Sequence, residues 1–145
     1  MQVDRRPGMF WLVTGLLLIG CGEQGPTIYP TRGTVKFADG SLVKSGIVEL
    51  SSRQHELTAT GRIQPDGSFV LGTHTESDGA CSGEHAAIVM QMIINDGMTI
   101  HTQDHGPAVD PRFFSYDTSN LSVVIEESDE NQVQLVVRKK PQATH

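Results

Sequence analysis

A chain of 145 residues with 11 basic against 17 acidic side chains and a net charge of −6 offers one domain's worth of sequence and an acidic surface. That balance argues against a nucleic-acid partner, whose recognition needs clustered lysine and arginine. Two cysteines, Cys21 and Cys81, cannot build a disulfide framework, so stability has to come from a hydrophobic core.

Residues 1–20 read as an export signal, with Arg5 and Arg6 ahead of the apolar run "MFWLVTGLLLIG". The run falls short of the roughly 20 apolar residues that a membrane-spanning helix needs. Its end, "LIGC", resembles the lipobox of bacterial lipoproteins: Leu18 and Ile19 lead to Gly20 before the cut, and Cys21 is the acceptor. The resemblance implies a diacylglycerol and an N-acyl chain on Cys21, and several acyl chains anchor stably where one binds only marginally. It implies a bacterial cell envelope, with the protein held to a membrane on the side away from the cytoplasm. Gly22 stands where an aspartate would retain it at the inner membrane, which points to the outer one. Without Asp4, Arg5 and Arg6 the remaining chain has 16 acidic and 9 basic residues, a net charge of −7, and so needs the covalent anchor to stay on anionic lipid. Once Cys21 is acylated, Cys81 has no partner in its own chain.

Residues 21–30, "CGEQGPTIYP", are small, polar and proline-bearing, and read as a flexible tether. From Thr31 the apolar residues alternate in short runs cut by glycine, aspartate, asparagine and proline, which predicts strands. "RGTVKF" places Val35 and Phe37 inward and ends at the hairpin signal Asp39-Gly40. "GIVELSS" follows, with Ile47 and either Val48 or Leu50 expected toward the core. "LTATGRI" runs through the turn "QPDGS" into Phe69 and Leu71. "SDGACSGEH" reads as a turn of small residues that launches "HAAIVMQMII", apolar on both faces as a central strand would be, with His85, Ala87 and Val89 on one face. "NDGMTIHTQDHG" is a polar excursion, and "PAVDPRFFSYDTSN" suggests a short turn or 3₁₀ piece plugging one end. "LSVVIEESDENQVQLVVRK" supplies two strands around an acidic turn, and residues 140–145 look frayed. About seven strands and no long helical period predict a single antiparallel β-sandwich domain over residues 31–139, with a barrel as the alternative.

The series "LIGC", "GTVKFADGSLVKSGIVEL", "GRIQPDGSFVL", "SDGACSGEHAAIV", "VDPRFFSYDTSNLSVVI" and "NQVQLVV" resembles the small lipoproteins of planctomycete-type bacteria. Their domain is similar to the transthyretin-like, or carboxypeptidase-regulatory-like, Greek-key sandwich. This chain departs from the family pattern at Ile63 and Gln64, where a threonine-aspartate pair is usual, at Cys81 in place of proline, and at His85 in place of tyrosine. The resemblance implies a non-catalytic module without a cofactor.

Four chemical candidates compete with that reading. A Cys81–His85 nucleophile pair needs an electropositive setting, yet the nearby charges are Glu76, Asp78 and Glu84. His101, Asp104 and His105 in "HTQDHG" offer the best metal-ligand spacing, but zinc needs at least three protein ligands, and recruiting His74 or Asp96 depends on the fold. Asp66 and Asp78 lie beside glycines, as in some calcium loops, without the spaced acidic series an EF-hand requires. Lys36 alternates with inward residues and should face solvent, away from any isopeptide partner. The expectation is therefore a non-enzymatic, membrane-anchored binding or envelope-structural module. Its partner would be an envelope protein or polysaccharide, met through loops such as 96–110. The alternative is a metal-binding protein or metalloenzyme built on His101, Asp104 and His105.

Overall fold

The computed structural model describes residues 25–91 and 106–142. Among them are nine strands: β1 (Ile28–Tyr29), β2 (Thr31–Phe37), β3 (Gly46–Ser52), β4 (Thr58–Ile63), β5 (Ser68–Val70), β6 (Ala80–Cys81), β7 (Gly83–Met90), β8 (Leu121–Ile125) and β9 (Asn131–Val137). A 3₁₀ turn over Pro111–Phe114 and one helical turn, α1 (Tyr116–Ser119), precede β8. The strands form a three-stranded sheet, β5-β2-β9, a four-stranded sheet, β4-β3-β7-β8, and a two-stranded ribbon, β1-β6. The all-β sandwich is thus present, and the strands beyond the expected number, β1 and β6, have two residues each, too short for alternation to reveal.

Period-two burial builds the core. In β9, Val133, Leu135 and Val137 are buried while Gln132, Gln134 and Val136 are exposed. These inward residues join Val35, Phe37 and Phe69 of their own sheet and Val48, Leu50, Ala87, Val89 and Ile125 of the other in one cluster. Full burial of each Val, Leu, Ile or Phe among them contributes about 1.5–3 kcal/mol. All pairings are antiparallel except β2 with β9, a parallel ladder from Thr31 opposite Asn131 to Phe37 opposite Val137. Parallel neighbours need a long crossover connection, and here nearly the whole domain supplies it.

The two strands around the acidic turn do not pair with each other. β8 adds to β7 and β9 adds to β2, so the turn carries the chain from one sheet to the other. Asn131 holds that crossing: its Oδ1 accepts from the Glu126 amide at 2.9 Å, and its Nδ2 donates to the Glu126 and Ser128 carbonyls.

In β3, Val48 and Leu50 both point inward and Ile47 points out, 43% exposed, which corrects the expectation for Ile47. Ile47 pairs with the exposed Arg62 and with Met90, and that register sets its side. β7 is the buried strand expected between neighbours, with Ile88 only 5% exposed on its outward face. The Tyr116 hydroxyl crosses that face to donate to Glu49 at 2.8 Å, and Ser119 donates to the Ala87 carbonyl at 2.7 Å. Burial and the Glu49 carboxylate together hold the Tyr116 phenol above its ordinary pKa. The segment before it plugs the sandwich as anticipated: Val109 is 1% exposed, its amide donates to Gln91, and Phe113 joins the core. Strand pairing extends into the expected tether, where Ile28 and Tyr29 pair with Cys81 and Ala80. Backbone bonding also reaches past the expected end of the domain, since the Lys140 amide donates to the Ala108 carbonyl.

Candidate functional site

The stretch 77–85 folds as the turn expected of it, and the turn brings Cys81 and His85 together. Gly79, at φ +108°, could not carry a side chain, because a β-carbon there would lie 1.8 Å from the Tyr29 carbonyl oxygen. The close approach seats β6 against β1 and delivers Cys81 to the inside. Cys81 Sγ lies 3.5 Å from His85 Nε2, and both residues are 1% exposed. His85 Nδ1 donates to the Gly83 carbonyl at 3.1 Å, so Nε2 is the acceptor and the thiol is the donor. Burial lowers the imidazole pKa, the Gly83 bond opposes that, and His55 adds to the lowering. A buried neutral imidazole receiving an S–H bond, with no room for a substrate beside it, is a packed core pair. Glu84, next to His85 in the strand, points outside and pairs with Arg53 at 3.4 Å.

The metal candidates His101, Asp104 and His105, their possible partner Asp96, and the lipidation candidate Cys21 lie outside the described residues. His74 is described; its amide donates to Asp78 at 3.0 Å and its side chain is exposed. Asp66 spends its carboxylate on Ser68, accepting from the amide at 3.0 Å and the hydroxyl at 2.6 Å, as a turn residue does. Asp78 likewise holds its own loop, accepting from the amides of Thr73 at 2.7 Å, His74 at 3.0 Å and Thr75 at 3.1 Å. Burial pushes its carboxyl up, but these three amides outweigh burial and leave it below the ordinary 3.8. Lys36 is half-buried on the outward side of β2.

What sequence reasoning missed is a groove of about 1010 Å³ where the outer faces of the two sheets meet at the β4–β5 corner. β4 and β5 are joined by the Gln64–Ser68 turn and by a bridge between Thr60 and Gly72, so one bent hairpin belongs to both sheets. On one wall Arg32 stands between Val70 and Gln132, its cross-strand partners. On the other, Arg62 stands beside Thr60 and opposite Ile47. The loop that Asp78 organises, Thr73 to Glu76, forms the end of the groove. Neither guanidinium has an ion pair or hydrogen bond among the described residues.

A signal for this groove exists in the sequence: each arginine adjoins a glycine within a strand, Arg32-Gly33 and Gly61-Arg62. A glycine inside a strand often marks a close backbone approach. A β-carbon on Gly33 would sit 2.3 Å from the Val133 carbonyl oxygen and 2.5 Å from the Phe69 ring, and one on Gly61 would sit 2.4 Å from the Val70 carbonyl oxygen. The bare backbones let β5 wedge between the two arginine-bearing strands. No protein-family model, no curated protein and no solved structure matches this chain.

Proposed function

We propose that this protein is a lipid-anchored module of the bacterial cell envelope, attached through acyl chains on Cys21, whose β-sandwich binds envelope material without transforming it. The observation that carries the binding half is the groove at the β4–β5 corner, large, open to solvent and lined by two arginines that have no ion pair among the described residues of an acidic protein. Loops and corners on a rigid sandwich are where binding residues concentrate. The "LIGC" motif carries the anchoring half. In the loop expected to bind, the described end is structural: Val109 is in the core and Asp110 caps the 3₁₀ turn, so the groove is the better site. Two variants test the halves separately. Cys21→Ser is expected to move the protein from membranes to the soluble fraction, and persistent membrane association contradicts the anchor. The Cys21→Ser protein should then co-sediment with lipid-extracted envelope, and adding Thr60→Trp, which fills the groove from an exposed position, should abolish this. Undiminished co-sedimentation of the filled variant refutes the binding assignment.

A further inference from the structure

Resting on that reading, we infer that the groove takes an acidic polysaccharide, a glycan whose sugar rings carry carboxylates, gripped at two points by Arg32 and Arg62. The two arginines flank β5: Arg32 pairs with Val70, whose carbonyl oxygen abuts Gly61 next to Arg62. They line one groove from strands of two different sheets, an arrangement that suits an extended chain carrying several acidic groups. Guanidinium forks bind carboxylates with paired, charge-assisted hydrogen bonds. Here both forks are uncommitted to any carboxylate of the described residues, although the chain has acidic residues in excess. Between them the lining offers hydroxyl and amide groups, Thr60, Gln64, Ser68 and Gln132, that match sugar hydroxyls.

The same lining disfavours other occupants. The groove lining holds no Tyr or Trp and its one Phe, Phe69, is 1% exposed and committed to the core, so an uncharged glycan finds no large aromatic face to stack on. A peptide would draw affinity from buried anchors or from adding a strand. β5 is the edge of its sheet, but it offers only Ser68–Val70 between the Gln64–Ser68 and Thr60–Gly72 backbone bonds to the chain of β4, too short a stretch for an added strand.

The test uses the full chain extracted from membranes in an uncharged detergent, with polygalacturonate, dextran and poly-L-glutamate as probes in affinity electrophoresis. Polygalacturonate is expected to retard the protein in low salt and to release it as salt screens the charges. Arg32→Gln and Arg62→Gln, both at exposed positions, should each weaken this by roughly tenfold, and the double variant should lose it. Dextran should not bind. Unchanged retardation of the double variant, equal retardation by dextran, or stronger retardation by poly-L-glutamate overturns the assignment. If envelope co-sedimentation remains sensitive to Thr60→Trp while polygalacturonate fails to bind, the ligand class is wrong and the binding module stands; loss of both removes both.

Discussion

Asp78 is the residue through which the turn chemistry of residues 77–79 reaches the groove, and replacing it gives a quantitative test. Its carboxylate accepts three backbone amide hydrogen bonds, from Thr73, His74 and Thr75, while the Thr73 hydroxyl donates to the Gly79 carbonyl at 2.7 Å to close the loop. Bonds to a charged acceptor contribute about 1.5–3 kcal/mol each when shielded. His74 and Thr75 are exposed, and their freed amides can turn to water, so about 1 kcal/mol per bond is the appropriate figure. Asp78→Ala should therefore destabilise the fold by about 3 kcal/mol, a fall in Tm of roughly 10 °C for a domain of this size. Asp78→Asn should recover only part of the loss, because one of its two terminal positions becomes an NH₂ group facing amide donors. Urea unfolding followed by circular dichroism reads both variants, with the midpoint compared at constant slope. Both should also weaken groove binding by loosening the wall from Thr73 to Glu76. An alanine variant within about 0.5 kcal/mol of the parent, or an asparagine variant as stable as the parent, would refute this account of the loop.

Three further outcomes follow from the core and its approaches. Because burial keeps the folded-state pKa of His85 below 6.5, the unfolded chain binds the extra proton first. Stability should be full above pH 6.5 and decline as pH falls below it, and His85→Phe should flatten that slope; an identical slope in the variant contradicts the buried neutral imidazole. Cys81 should resist Ellman's reagent in the native protein and react in denaturant, and prompt native labelling would contradict its 1% exposure. Gly33→Ala should cost about 1–3 kcal/mol by overpacking against Val133 and Phe69, more than the roughly 0.4–1 kcal/mol that alanine gains over glycine in the unfolded chain. An unchanged urea midpoint would show that β2 and β9 can separate without cost.

Much of the fold was legible because alternation is a local property. Val35 and Phe37 in β2, the odd residues of β9, and His85, Ala87 and Val89 in β7 face inward as their spacing demands. The Asp66 and Asp78 turns were legible for the same reason, since each carboxylate bonds within five residues of itself. Ile47 was not, because "GIVEL" is apolar at consecutive positions and either phase buries something. Only its pairing with Arg62 and Met90 chooses the phase. The acidic turn after Ile125 also misled, since a turn between two strands specifies a reversal without saying whether the strands rejoin one sheet.

By itself, the sequence determined the class of the domain and the inward face of most strands, because side-chain period and turn chemistry act over a few residues. It determined too that Cys81 and His85 share the strand turn at Gly83. The tertiary structure alone decided that β9 returns to lie parallel with β2, that Cys81 and His85 touch in the core, and that Arg32 and Arg62 share one groove. The first and last of these join residues 100 and 30 positions apart, and contacts at such distance are set by how two sheets pack. Local periodicity carries no record of that packing.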